Sequence, residues 1–498
     1  MPIRVTRAKP PEPVAFLSGL ADGSTRRPIP KRSDRPRIGV SSRTRRVRCL
    51  EAPARSVQSM HDPRPSLRSL AGRARDASAA LAERVGRLPP LVVPSIVFVV
   101  AIGVLVSRRP DAFLNPQFYA EDGALWFARA YNLGPFTSML VPDAGYLQVL
   151  ATGTGAIAVL FPVSVAPLVF ALGAAIIEVS PAVFLSTRRA SQLIPNLAPR
   201  LALAFFYLAL PNVWTNSVVM TYASWRLGLL AFLLLVTRPR SRFGSLFDGV
   251  VVALCGLGGP LILFMLPVVI VHAVVRPAAR SVPILTAAAF TSAVQLWHLA
   301  GSAGARPTLP LGASVENFCR IFANQYVYSL MWGRSGFSDR VASWPWLENP
   351  AALAVVTAVG LCLLGFAAVR GPYALRLFLL FAGIVLGATL ASATVTGPTQ
   401  WESLGHPGAG TRYFLYGMMA IVTALGWLAT CKPAAARVIG VSTLGLILLI
   451  GVRADWRHHA LPDHDYRSFA RDFENAPSGT VLETPIEPPG WTVILVKR

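Results

Sequence analysis

Long apolar runs recur between residues 90 and 452, each closed by a short polar break, and many of the breaks carry arginine. Nothing constrains the chain more than this alternation, because a run of about 20 apolar residues matches the hydrocarbon core of a bilayer. The pattern predicts spans near 90–107, 146–162, 165–185, 201–219, 222–237, 247–259, 260–275, 282–300, 350–370, 373–394, 412–430 and 436–452. Prolines fall inside or beside several of them, at Pro181, Pro260 and Pro267. Bundled membrane helices tolerate this, since neighbours re-satisfy the freed backbone groups. The expected fold is an all-α polytopic membrane protein, a bundle of about 11–13 transmembrane helices with extracytoplasmic loops and a small soluble C-terminal appendage.

Composition agrees: 53% of the 498 residues are hydrophobic and only 14% charged. The net charge of +23 looks like a nucleic-acid footprint until it is located. Residues 1–90 hold 20 Lys and Arg against 7 Asp and Glu, a net of +13, and most of the remainder sits in breaks such as Arg188-Arg189, Arg238 to Arg242, Arg276 to Arg280 and Lys432 to Arg437. That placement follows the positive-inside rule, so a lipid bilayer rather than nucleic acid is the expected partner. Cys49, Cys255, Cys319, Cys362 and Cys431 are scattered without paired spacing, and neither a disulfide framework nor a zinc site follows.

Three regions are expected. Residues 1–88, rich in Arg, Pro and Ser, read as a disordered basic leader, and Met60 is an alternative start because the sequence after it is already an adequate basic flank. Residues 89–452 form the transmembrane domain with outer loops 108–145, 301–349 and 395–411. Residues 453–498 form a small extracytoplasmic tail with a helix around Tyr466 to Phe473 and a hairpin across Pro488-Pro489-Gly490. Counting basic breaks back from the C-terminus puts the tail outside, yet twelve crossings would then put the basic leader outside too. A half-crossing within 146–186, where Pro162 and Pro167 divide about 40 apolar residues, would restore parity and leave the leader in the cytoplasm.

The loop after the first span, Asn115-Pro-Gln-Phe-Tyr-Ala-Glu-Asp-Gly-Ala-Leu-Trp-Phe127, is the segment richest in chemistry. Its adjacent carboxylates, Glu121 and Asp122, can hold a divalent cation, or one can act as general base while the other sets its pKa. Acids ahead of Gly-Ala-Leu-Trp-Phe suit the first turn of a helix equally well. Within or near spans, Glu178 and Arg226 most need partners. The loop 301–349 carries Glu316, Asn324, Gln325, Arg334, Asp339, Trp344 and Trp346, a mixture suited to an acceptor site or an interfacial lid. His458, His459, Asp463, His464 and Asp465 resemble metal ligands in type, but their spacing matches no site. No phosphate loop, dinucleotide fingerprint or nucleophile elbow is present in the sequence.

A cytoplasmic N-terminus, one span, and then an outer loop opening on the Glu121-Asp122 pair in its aromatic setting resembles the GT-C superfamily of membrane glycosyltransferases. Protein O-mannosyltransferases and lipid A aminoarabinose transferases belong to it. The resemblance implies transfer of a sugar from a polyprenyl-phosphate carrier to a cell-envelope glycan, lipid or protein acceptor at the outer face of the cytoplasmic (inner) membrane. It implies that Glu121 or Asp122 activates the acceptor or helps bind a metal or the donor, with no cofactor fixed and a divalent metal left open. The leaving phosphate would need a cation, and Arg412, beside Tyr413 and Tyr416 at the start of a span, offers a bidentate fork. The same arginine also reads as an interfacial, snorkelling side chain. Arg226, Glu402 and His406 complete the expected substrate-binding set. A transporter or flippase of lipid-linked sugars and a non-catalytic membrane scaffold are the competing readings.

Overall fold

Each apolar segment carries a helix in the computed structural model, which describes residues 88–278, 281–302, 309–395 and 397–498, all within the unit Ala82–Arg498. The basic leader, the alternative start at Met60 and Cys49 lie outside the described residues. In chain order the apolar helices are α1 (Val92–Arg108), α2 (Val149–Ala158), α3 (Ala166–Ser186), α4 (Leu197–Leu208), α5 (Ala223–Leu235) and α6 (Arg242–Leu257). They continue with α7 (Leu261–Val275), α8 (Val282–Ala300), α9 (Pro350–Arg370), α10 (Tyr373–Ala391), α11 (Thr411–Leu428) and α12 (Ala434–Leu446). The described chain is thus nearly all α, and five of its helices are long and apolar enough to cross a membrane by length and composition.

The apolar side chains do not all point inward. Of the window in Val163–Ser186, 56% is buried, which makes α3 a central post packed on α1, α4 and α5. In Pro350–Arg370, with a mean hydropathy of 2.5, only 22% is buried. Val99, Leu160, Val274, Trp297, Val359 and Leu449 are all exposed. The shortest of the apolar helices, α2, with 10 residues, rises about 15 Å, half a hydrocarbon core, inside the region where the sequence predicts a half-crossing.

The predicted span 201–219 is helical only as far as Leu208. Pro211, which cannot donate to a helix ladder, follows soon after, and the chain runs through two short 3-10 turns until α5 begins at Ala223. This irregular stretch is buried almost throughout. Buried backbone amides and carbonyls require partners, and here charged side chains supply them. Arg108 donates to the carbonyls of Leu208 and Leu210, and Arg109 to those of Trp214 (3.3 Å) and Ser217 (3.0 Å). The N–H of Asn212 donates to Asp455 Oδ2 (2.7 Å), that of Val218 to Glu178 Oε2 (2.8 Å), and those of Met220 and Thr221 to Asp122 (2.9 and 2.8 Å).

The segment 301–349, read from the sequence as a loop, is largely helical where described: Val315–Phe322 continues through a wide turn at Ala323–Tyr328 into Ser329–Ser343. A kink at Gly333 (φ 69°) lets the backbone pass Asp455, whose Cγ a β-carbon there would approach to 2.8 Å. The tail forms α13 (Tyr466–Asn475) and an antiparallel pair, β1 (Val481–Ile486) and β2 (Trp491–Val496), in register Thr484 to Val493. Its apolar side clasps the loop after α1, with Phe118, Phe127, Phe473 and Val493 in one core. At Gly123 a β-carbon would lie 2.7 Å from the Val493 side chain, so the acid-bearing turn meets the hairpin only because that residue is glycine.

Candidate functional site

The two adjacent acids part company. Ala120 takes a left-handed conformation (φ 49°) just before them, and the helix that follows opens with a wide turn at Asp122–Phe127, so Glu121 and Asp122 face different cavities. Asp122 is 4% exposed and its carboxylate is fully engaged, accepting the Met220 and Thr221 amides and the Thr221 hydroxyl (2.6 Å). Burial pushes its pKa up to about 7 against the pull of these donors. Such a group is a clamp: it holds the 220–222 turn in place. An Asp122→Ala substitution leaves two buried amides without acceptors, and we expect it to lower unfolding stability by about 2–4 kcal/mol, read by thermal or denaturant unfolding in micelles.

Glu121 borders a cavity of about 150 Å³ formed where the starts of α5, α7 and α11 meet the end of α10. Among the described residues its Oε2 is buried without a hydrogen-bond partner. Burial raises the pKa of this carboxyl, while Arg412 in the same cavity draws it back down and Asp143 lifts it. The Arg412 guanidinium lies 5.0 Å from the ring centre of Tyr222 and 4.4 Å from that of Tyr413, within cation-π range of both. Its Nη2 donates to the Tyr413 hydroxyl (2.9 Å) and to the Thr394 carbonyl (3.0 Å), which leaves other guanidinium donors for a ligand. A cation so braced keeps its fork in one orientation, which suits a phosphate better than a mobile side chain would.

The cavity thus brings together Glu121, Arg412 and Tyr413, and adds Asp143 and Tyr222, which sequence reasoning missed. Asp143 stands in a tight bridge with Tyr146 and pairs with Arg129 (2.9 Å). Its signal was the turn Pro142-Asp143-Ala144-Gly145, an acid at a chain reversal beside an aromatic in the same outer loop as Glu121.

Other expected site residues lie elsewhere. Tyr416 is buried below the cavity, its hydroxyl on the Trp225 carbonyl (2.6 Å) and its ring against Phe381. Arg226 is 2% exposed and pairs with Glu178 (3.2 Å), donating also to Asn216 (2.9 Å), so these two charges satisfy each other. Glu402 and His406 are exposed around the short helix Gln400–Leu404 and do not line the cavity. Asn324 and Gln325 tie the Ala323–Tyr328 turn to Gly405, Leu404 and His406 through those residues' carbonyls.

The tail cluster disperses as well. Burial beside Arg108 and Arg109 pushes the pKa of His458 down to about 2, His464 meets Glu487 at 3.0 Å, and Asp463 accepts from Asn115 (3.0 Å). Among the described residues no three His, Cys, Asp or Glu side chains converge as metal ligands, so Glu121 and Asp143 offer at most part of a cation's shell.

No family model, curated protein or solved structure matches this chain.

Proposed function

We propose that the chain is a multi-span membrane glycosyltransferase that takes a sugar from a polyprenyl-phosphate carrier and passes it to a cell-envelope acceptor at the outer face of the cytoplasmic membrane. Exposed apolar faces on helices of high hydropathy support residence in a bilayer, since a water-soluble chain would bury them. The basic breaks support a cytoplasmic leader and an extracytoplasmic tail, with α2 as a half-crossing.

One observation carries the catalytic reading: an unpartnered, buried carboxylate oxygen shares a cavity with an aromatic-braced guanidinium. In the proposed reaction an acceptor hydroxyl attacks the anomeric carbon as the bond from that carbon to the phosphate oxygen breaks. The hydroxyl proton passes to Glu121, and the polyprenyl phosphate leaves with its charge held by Arg412. Asp122 acts from behind, by fixing the turn that carries Tyr222 beneath the arginine. The test is transfer of labelled sugar from lipid-linked donors in reconstituted vesicles, with release of free polyprenyl phosphate as the readout. Donor that crosses the membrane intact would identify a flippase, and full transfer by Glu121→Gln would remove that carboxylate from the mechanism.

The pH dependence follows from the same cavity. A general base must be ionised, and burial holds the Glu121 pKa above the ordinary carboxylate range, so kcat/KM is expected to fall as pH drops through that raised value. Because Arg412 pulls this pKa down, removing its charge moves the acid limb to higher pH. An acid limb unmoved in Arg412→Gln would separate the two residues.

A further inference from the structure

A second cavity, of about 380 Å³, lies at the opposite ends of α5 and α7 from the first. The first takes Trp225 from the start of α5 and Phe264 from the start of α7, whereas the second takes Arg238 beyond the end of α5 and Arg276 beyond the end of α7. At 1.5 Å per residue these pairs stand about 18 to 20 Å apart. The second cavity therefore sits at the arginine-rich face of the bundle, the side the positive-inside rule assigns to the cytoplasm.

Its lining is cationic and held in place. Among the described residues no carboxylate pairs with Arg238 or Arg276, and the acid on α6, Asp248, is spent on Arg189, whose two terminal nitrogens each reach it at 2.7 Å. The Arg276 guanidinium stacks 4.1 Å from the ring centre of Tyr373, and the Tyr373 hydroxyl meets His272 Nδ1 at 3.2 Å. Gln192 exchanges two hydrogen bonds with the Arg238 backbone, which fixes that turn while leaving its side chain to the cavity. Ser281 and Ile284 bring the first turn of α8, a 19-residue helix, to the wall, so a helix N-terminus adds its positive end to the two arginines.

The rim has the opposite character. Val274, Val275 and Val282 stand within two residues of the lining Arg276 and Ser281 along the chain and are 76%, 57% and 54% exposed. A soluble anion has no use for an apolar rim, but a lipid has both a charged headgroup and chains to lay against it. We propose that this cavity binds the phosphate of an anionic phospholipid of the cytoplasmic leaflet, with Arg238 and Arg276 on the phosphate and the acyl chains along Val274, Val275 and Val282. The inference rests on membrane insertion and not on sugar transfer, so either can fail alone.

Native mass spectrometry of the full chain in detergent, titrated with phosphatidylglycerol, phosphatidylcholine or inorganic phosphate, tests it. The native protein is expected to retain one phosphatidylglycerol in preference to phosphatidylcholine. An Arg238→Gln/Arg276→Gln variant should bind it about 25-fold more weakly, about fivefold for each arginine near a membrane surface. Arg437→Gln, at an exposed basic break elsewhere, should leave binding unchanged. Equal retention of the two lipids, undiminished binding by the double variant, or displacement of the lipid by millimolar inorganic phosphate would each overturn the assignment. A photoreactive phosphatidylglycerol on the unaltered protein gives a readout independent of variant folding: crosslinks are expected within residues 271–278 and 281–284, and crosslinks confined to other segments would sink the idea.

Discussion

An Arg412→Gln variant is expected to transfer sugar about 10²- to 10³-fold more slowly than the native protein, with unfolding stability nearly unchanged. The reason is where its donors go. One terminal nitrogen is occupied by Thr394 and Tyr413, but the remaining donors face a cavity holding no other guanidinium among its lining residues. Losing a preorganised cation at a site of developing negative charge costs about 3–4 kcal/mol of transition-state stabilisation, and that is the quoted factor. Glutamine keeps one donor for Thr394, so the start of α11 should hold. The measurement is single-turnover transfer with saturating lipid-linked donor, beside Glu121→Gln, for which a general base predicts a loss of about 10² to 10⁴. If Arg412→Gln transfers at the native rate, the phosphate is neutralised elsewhere and the proposed site fails.

The largest expected loss of stability comes from Arg108→Met. Arg108 is 1% exposed at the end of α1 and donates to four backbone carbonyls, those of Leu208 and Leu210 at and just past the end of α4 and those of Asp455 and Trp456 at the start of the tail. Methionine matches much of its length but satisfies none of them. We expect a loss of about 3–5 kcal/mol, since several buried carbonyls lose their donor together. Thermal unfolding in micelles checks this, and proteolysis should show the tail and residues 209–222 released together. A variant with native stability and an intact tail would show that Arg108 is not the staple joining the two.

Helices and tail were legible in the sequence to different depths. Apolar runs marked all five helices long and apolar enough to cross a membrane, because burial or lipid contact demands an apolar surface at helical length. The tail helix was legible from Tyr466, Phe469 and Phe473, whose spacing of three and four places them on one face. The segment 301–349 hid its helices because its polar side chains are spent on partners far along the chain, such as Gln325 on Asn212 and Leu404. A window of local sequence carries no trace of such contacts.

The site shows the same division. The sequence marked Glu121, Asp122 and Arg412 by residue type and setting, but adjacency says nothing of direction, and a left-handed Ala120 with a wide turn after it sends the two acids to separate cavities. By itself, then, the sequence determined a nearly all-α chain with apolar helices, a basic face and a compact tail, because hydropathy and charge act residue by residue. Only the tertiary structure decided that residues 209–219 abandon the helix predicted for them and that Arg108, Arg109, Asp122, Glu178 and Asp455 are consumed in solvating the stretch from there to Thr221. The physical reason is that a buried backbone group takes its partner from whatever lies within about 3 Å, and here those partners come from α1, α3, the outer loop and the tail.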